Sequence, residues 1–479
     1  MILPEHQGMV PGAVVVHKGK IFRTVRFPTS HETSAPQSSP GRIQALQYQL
    51  GVGNVLDYGN LIVSPGLIDT HVHLDEPGRT HWEGFETGTR AAAAGGVTTI
   101  VEMPLNSLPC TTTGDLLREK IKASKGKLHV DAAFWGGIVP ENAANHSVLQ
   151  GMLDAGALGF KSFMSPSGIN DFENVARPDI EGALPFVKEQ GVPYYLHAEI
   201  VDDRKPKGDP TKYATFLATR PRDYEKNAVA MLLDILKKDT QRAAKPGFLI
   251  HIAHLSNADL LPQLAAAKAS GLPVSVETCP HYLAFAAETI PDKATQFKCM
   301  PPIREAEYQD RLLQGLLDGT INSIGSDHSP APPEMKKFDT GDFIEAWGGI
   351  SGIQYGLPAT WNAMKKHGIA PAFLAKWWSE SPAKWAGLSA RKGQLSAGLD
   401  ADFVVWDPEA PANTSKEGLY TRHKDTPFAN MALAGRVVAT FVRGQQTCRA
   451  ARLQASSSSP IDQSKRGDHR RVSRAPGPT

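Results

Sequence analysis

Between residues 66 and 326, short apolar runs alternate with longer stretches of helical texture. Eight such runs stand out, at 66–74, 98–103, 129–134, 159–164, 193–197, 248–254, 273–277 and 321–326. Each is followed by a polar or Gly/Pro-rich loop and then a helix-like segment. Short apolar runs spaced in this way predict parallel strands joined by crossover helices. One of those helices is expected over about 82–94, stopped by Gly95-Gly96. Eight β-then-α units predict an α/β fold, a (β/α)8 TIM-like barrel over residues 63–388. In such a barrel the chemistry sits at the C-terminal ends of the strands.

Outside the barrel the pattern returns to β. Residues 13–16 and 21–25 alternate around Lys18-Gly-Lys20 and predict a hairpin within 10–27. Short strands are expected at 44–50 and 61–63, and longer ones at 399–406 and 435–443. Residues 1–62 and 389–447 are therefore expected to close into one small composite β-sandwich beside the barrel. Residues 28–42 are rich in Ser and Pro and read as an exposed loop insertion. Residues 454–479, with Ser456-Ser-Ser-Ser459 and many arginines, are too poor in apolar side chains to pack. They are expected to form a disordered tail.

Composition narrows the function classes. The 479 residues are 41% hydrophobic and 21% charged, with a formal net charge of +2. That balance gives no long-range attraction to nucleic acid or to an anionic membrane, and neither partner is expected. No apolar run is long enough to cross a bilayer. The N-terminus lacks the basic-then-apolar order of a secretory signal. Cys110, Cys279, Cys299 and Cys448 form neither a disulfide framework nor a Cys-x-x-Cys site. A reducing, cytoplasmic location is expected.

The polar residues of the apolar runs fall at strand ends. His71 and His73 are two apart, so on a strand both imidazoles project from one face, an arrangement suited to zinc. His-x-His alone is more often a chance pairing or two surface histidines on an edge strand. Lys161 in Phe-Lys-Ser-Phe, His197 in Tyr-Leu-His-Ala-Glu, His254 in Ala-His-Leu-Ser and Asp327 in Gly-Ser-Asp-His occupy four further strand ends. One histidine in an apolar run is commonly a packed core residue, and one aspartate a helix cap. Coincidence at five strand ends points instead to a shared centre. Lys161 has two readings. It forms an ion pair with a buried acid, or burial neutralises its amine, which then takes up carbon dioxide as a carbamate.

Asp69-Thr-His-Val-His-Leu-Asp-Glu-Pro-Gly-Arg79, Glu277-Thr-Cys-Pro-His-Tyr282, Pro301-Pro-Ile-Arg304 and Gly325-Ser-Asp-His-Ser-Pro330 together resemble the cyclic amidohydrolases, the family of dihydroorotases, hydantoinases and allantoinases. The resemblance runs from about residue 10 to about 445. It implies a pair of zinc ions, one held by His71 and His73, the other by His197 and His254. Carboxylated Lys161 and a hydroxide would bridge them, with Asp327 as ligand and catalytic base. It also implies a homotetramer and a small cyclic amide as substrate.

Within the family, residues 76–90, Glu102-Met-Pro-Leu-Asn106, residues 327–336 and Ala346-Trp-Gly-Gly-Ile350 resemble the allantoinase branch. Hydrolysis of allantoin to allantoate is therefore implied. Dihydroorotases carry an arginine for the substrate carboxylate where this chain has Asp75, which would repel that carboxylate. Hydantoinases carry an oxyanion-donating tyrosine where this chain has Pro166, so Ser165, Ser167 or the metal alone would replace it. Asn106 and the main chains of Met300 and Trp347 are further expected substrate contacts. Asn106 reads equally as a turn residue. His281 and His328 are expected to support the ligands or simply to pack, and Cys299 has no identifiable base. The alternatives are a dihydropyrimidinase or hydantoinase, and a non-catalytic relative that has lost ligands. The second would show gaps among the ligand positions, and none is present.

Overall fold

The computed structural model describes residues 1–3, 8–27, 47–49, 51–239 and 244–449. The insertion expected at 28–42 and the tail expected at 454–479 lie outside these residues. Residues 47–49 are helical, not extended as expected for 44–50. Tyr48 there is almost fully exposed, and a strand without a neighbour leaves its hydrogen-bonding groups unmatched.

Eight parallel strands form a barrel: β1 Leu67–Val72, β2 Val97–Glu102, β3 Asp131–Phe134, β4 Phe160–Phe163, β5 Pro193–His197, β6 Leu249–Ile252, β7 Val274–Thr278 and β8 Ser323–Ile324. Each lies within or overlaps one of the apolar runs. β1 to β3 pair in order, as do β4 to β8. Gly136–Gly137, just beyond β3, pairs with β4 and joins the two arcs. On the opposite side Val72 bridges His328, and the His73 N–H donates to the His328 carbonyl at 2.8 Å. The ring is thereby closed.

Alternation sorts the side chains. On β5, Tyr194 and Leu196 pack outward with the helices, while Tyr195 joins an inner cluster with Trp135, Ala253 and Trp385. Trp135 and Trp385 stack at 5.5 Å, and Trp385 lies 3.7 Å from the His251 ring. The barrel interior is a filled core, so the open end lies at the strand C-termini. The helix expected at 82–94 begins only at Phe85, because Gly84 takes φ 97° and Trp82 sits in the preceding turn.

Ile62–Pro65, immediately before β1, pairs antiparallel with Phe403–Pro411, which is followed in the sheet by Ala434–Val442 and Gln445–Arg449. The hairpin Gly12–His17/Lys20–Arg26 turns through Lys18 and Gly19, both at positive φ, as a two-residue hairpin turn requires. It docks on the same sheet through the Ile21 N–H to the Leu399 carbonyl and a core of Ile21, Leu395, Phe403, Val405 and Phe441. The flanking β unit is thus built from both chain ends. The strand expected from 399 begins at Phe403, because Asp400 and Asp402 turn inward to the Lys392 ammonium. No helix among the described residues is long and apolar enough to cross a membrane.

Candidate metal centre

The centre starts from His71 on β1. Its Nδ1 lies 2.8 Å from Glu277 on β7 and 2.7 Å from the Tyr195 hydroxyl on β5, and Tyr195 itself donates to Glu277 at 2.5 Å. Two partners on Nδ1 fix the ring with Nε2 facing the open end. There His71 Nε2 is 3.1 Å from Asp327 Oδ1, and His73 Nε2 is 3.4 Å from the same oxygen. His254, just past β6, places its ring 5.2 Å from His71 and 4.6 Å from His197. His71, His254 and Asp327 each bring a ligand atom within 4.8 Å of the other two. His197 Nε2 is held at 2.8 Å by Glu199, which Arg220 pairs in turn, so Nδ1 is the nitrogen left for a ligand.

Burial sets the protonation states. It lowers His73 to about 4, and carries His197 down and His254 well down from the ordinary imidazole value. Neutral imidazole is the form that donates a lone pair to a cation. Burial alone would raise the Asp327 carboxyl, but His71 and His73 outweigh it and bring it to about 2. Lys161 is fully buried on β4. Its Nζ lies 4.5 Å from the Tyr195 ring and 4.9 Å from the Phe163 ring, and has no hydrogen-bond partner among the described residues. It makes no direct ion pair among the described residues, although Asp327 and Glu277 act on it at longer range. Burial brings the amine down to about 8. Neutral imidazoles, a carboxylate and an unpartnered amine make a donor set that fits a binuclear metal site.

Asn106, Ser165, Met300 and Trp347 line one pocket with His71, His73, His197, His254 and Asp327. Ser165 Oγ is buried without a partner, whereas Ser167 donates to the Phe172 carbonyl at 2.7 Å. Of the two serines, only Ser165 has a hydroxyl left without a partner among the described residues. The Trp347 N–H donates to the Met335 carbonyl at 2.8 Å, and its carbonyl accepts from Lys336 Nζ at 2.9 Å. Asn106 is both a turn residue, at φ 66°, and a pocket residue.

Asp75 is not among the residues lining this pocket. Both carboxyl oxygens are buried and unpartnered beneath it. Burial, then Glu102 and Glu83 beside it, push its carboxyl well above the usual range. It lies beside the buried Lys120–Glu102 pair. Cys299 is buried, with Sγ turned to the Pro301 carbonyl. His328 Nδ1 accepts the Gly352 N–H and packs the loop after β8.

Sequence reasoning missed Glu277, Tyr195, Glu199 and Arg220 as supports. A signal existed for two of them. Tyr195 is two residues before His197 and shares its strand face, and Glu277 ends an apolar run where no solvent could reach it. Asp75, Asn106, His254 and Asp327 all take φ between 29° and 66°. Left-handed backbone at non-glycine residues costs about 1 kcal/mol or more each and clusters at functional sites.

The Amidohydrolase family profile matches residues 62–210 and 227–447. An allantoinase of Arabidopsis thaliana is 44% identical over 91% of this chain and 85% of its own length. A probable allantoinase of rice (Oryza sativa subsp. japonica) is 49% identical over 81% and 78%. Among solved structures, an L-hydantoinase (dihydropyrimidinase) from Arthrobacter aurescens superposes with a TM-score of 0.79 at 29% identity, covering 93% of this chain and 94% of its own.

Proposed function

The chain belongs to the amidohydrolase family, and from that premise we propose that it hydrolyses the cyclic amide of allantoin to give allantoate, a step of purine degradation. The observation that carries the reading is the convergence of His71, His73, His197, His254 and Asp327 on one pocket, with the buried Lys161 amine, which has no hydrogen-bond partner among the described residues, on β4 close by. His71, His73 and Asp327 would hold one zinc ion and His197 and His254 a second. Carboxylated Lys161 would be shared. The neutral amine forms it by adding carbon dioxide through an N–C bond and releasing one proton. Such an ion pair supplies carbonyl polarisation and a water of lowered pKa.

The rest falls to the chain's own side chains. Asp327, an ionised carboxylate at the pocket floor, takes the proton from the attacking water and returns it to the leaving ring nitrogen. The Ser165 hydroxyl, with no internal partner, donates to the oxygen on which charge develops. Glu277 and Tyr195 hold the His71 tautomer, and Glu199 with Arg220 holds that of His197. Asn106 and the Met300 and Trp347 main chains border the substrate.

The test is allantoate formation from allantoin by zinc-reconstituted protein, run beside dihydroorotate and unsubstituted hydantoin. Turnover of allantoin in preference to the other two is expected. Preference for hydantoin would make the enzyme a hydantoinase. A homotetramer, which the family resemblance implies, is tested by light scattering.

A further inference from the structure

One wall of the pocket is the segment 344–349, which contributes Trp347, Gly348 and Gly349. Two buried lysines hold its main chain. Lys298 Nζ donates to the Ile344 carbonyl at 2.9 Å and the Ala346 carbonyl at 2.5 Å. Lys336 Nζ donates to the Trp347 carbonyl at 2.9 Å and the Gly349 carbonyl at 2.7 Å. The same stretches take the amides. The Gly349 N–H donates to the Lys298 carbonyl and the Trp347 N–H to the Met335 carbonyl, each at 2.8 Å. Both lysines are only 4% exposed. Neither has a carboxylate in ion-pair contact among the described residues.

A buried ammonium without a counter-ion costs several kcal/mol, which carbonyl dipoles offset only in part. The segment these two lysines hold shares one pocket with His71 and Asp327. We propose that Lys298 and Lys336 are positioning residues, a two-cation clamp that fixes the 344–349 wall at the separation from the metal-ligand histidines that the substrate needs. The clamp sets substrate affinity and takes no part in bond making. The inference rests on reading this pocket as the cyclic amide site.

The surroundings make the clamp responsive to pH. Lys336 is faced by Lys298, Cys299 and, farther off, Asp425. Lys298 is faced by Arg220, Asp342 and Glu345. Burial, reinforced by the Lys298 charge, brings Lys336 down to about 7, and burial with Arg220 brings Lys298 to about 8. Both ammoniums are complete below these values and are lost as pH rises through them. A neutral amine donates more weakly.

In the zinc-loaded enzyme, Lys336→Met is expected to raise KM for allantoin roughly tenfold while kcat stays within about threefold, a loss of ground-state and transition-state binding together. Bound zinc should be unchanged, amide hydrogen exchange over 344–349 faster, and Lys336→Arg should recover part of the KM. A KM within twofold of wild type, or a fall in kcat at constant KM, overturns the proposal. If Lys336→Met does not fold, Lys298→Met and the wild-type profile decide it. KM should climb between about pH 6 and 9, and a flat KM overturns the clamp. If the wild type turns over none of the three substrates, the functional reading fails instead. The clamp is then judged by hydrogen exchange alone, where unchanged protection in both variants overturns it.

Discussion

Lys161 is the residue whose chemistry depends most on its surroundings. A buried amine with no hydrogen-bond acceptor among the described residues is disfavoured as an ammonium. Lys161→Ala should lose most bound metal and with it at least about a thousandfold in turnover, since bound cations supply the water's acidity. Metal analysis and single-turnover rates check this, and a variant keeping both zinc ions at full rate would falsify the carbamate. Asp327→Asn should lower kcat by about a hundredfold or more with little change in KM, in line with loss of a general base. Asp75 makes the opposite kind of prediction. Its folded-state carboxyl is held above the 3.8 of a free aspartate by burial, Glu102 and Glu83. The folded state therefore binds a proton that the unfolded chain has lost. The associated stability is present at low pH and lost as pH rises. Asp75→Asn removes that loss, so calorimetry should show a gain of about 1 kcal/mol or more at pH 8 and a smaller one at pH 5.

At the scale of elements, the site depends on what the chain does just beyond each strand. β1 was legible because His71 and His73 alternate within an apolar run, and β5 because Tyr-Leu-His closes one. The wall at 344–349 was legible only as a motif, since its shape depends on lysines from two other loops. Gly349 shows how tight that wall is. It takes φ 146°, and a Cβ there would stand 2.2 Å from the Ser329 carbonyl oxygen. Gly349→Ala should displace the wall, raising KM roughly tenfold and lowering stability by about 1–3 kcal/mol. Steady-state kinetics and thermal melts read both, and an unaltered KM would show that the segment does not border the substrate.

Across the whole molecule, the barrel and the flanking sheet are joined by buried charge. Lys392 Nζ lies 2.8 Å from Asp131 at β3 and 3.4 Å from Asp400, and also contacts Asp402, while Arg443 reaches Asp131 from the sheet. The three carboxylates resemble a cation site by spacing alone, but the ammonium already stands among them. Lys392→Met would leave them buried and unbalanced. A loss of about 3–5 kcal/mol is expected, as for other buried pairs broken on one side. The melting temperature should fall most above pH 5 and recover in part at lower pH, where the carboxylates protonate. A melting curve equal to wild type would show that the cluster does not couple the two units.

What the sequence determined by itself was everything carried by neighbours two or four residues apart. That includes the eight strands, the paired histidines on one face, the polar residues at strand ends and the hairpin turn at Lys18-Gly19. Tertiary structure decided whatever depends on which polar atom finds a partner. It buried Asp75 beside Glu102 and Glu83, left Ser165 without a partner while Ser167 was satisfied, and gave Lys161 no hydrogen-bond partner among the described residues. It also brought Lys298 and Lys336 to one loop. Periodicity is local and survives in the order of residues. Hydrogen-bond satisfaction and desolvation depend on groups up to several hundred positions apart, and only the closed barrel brings those together.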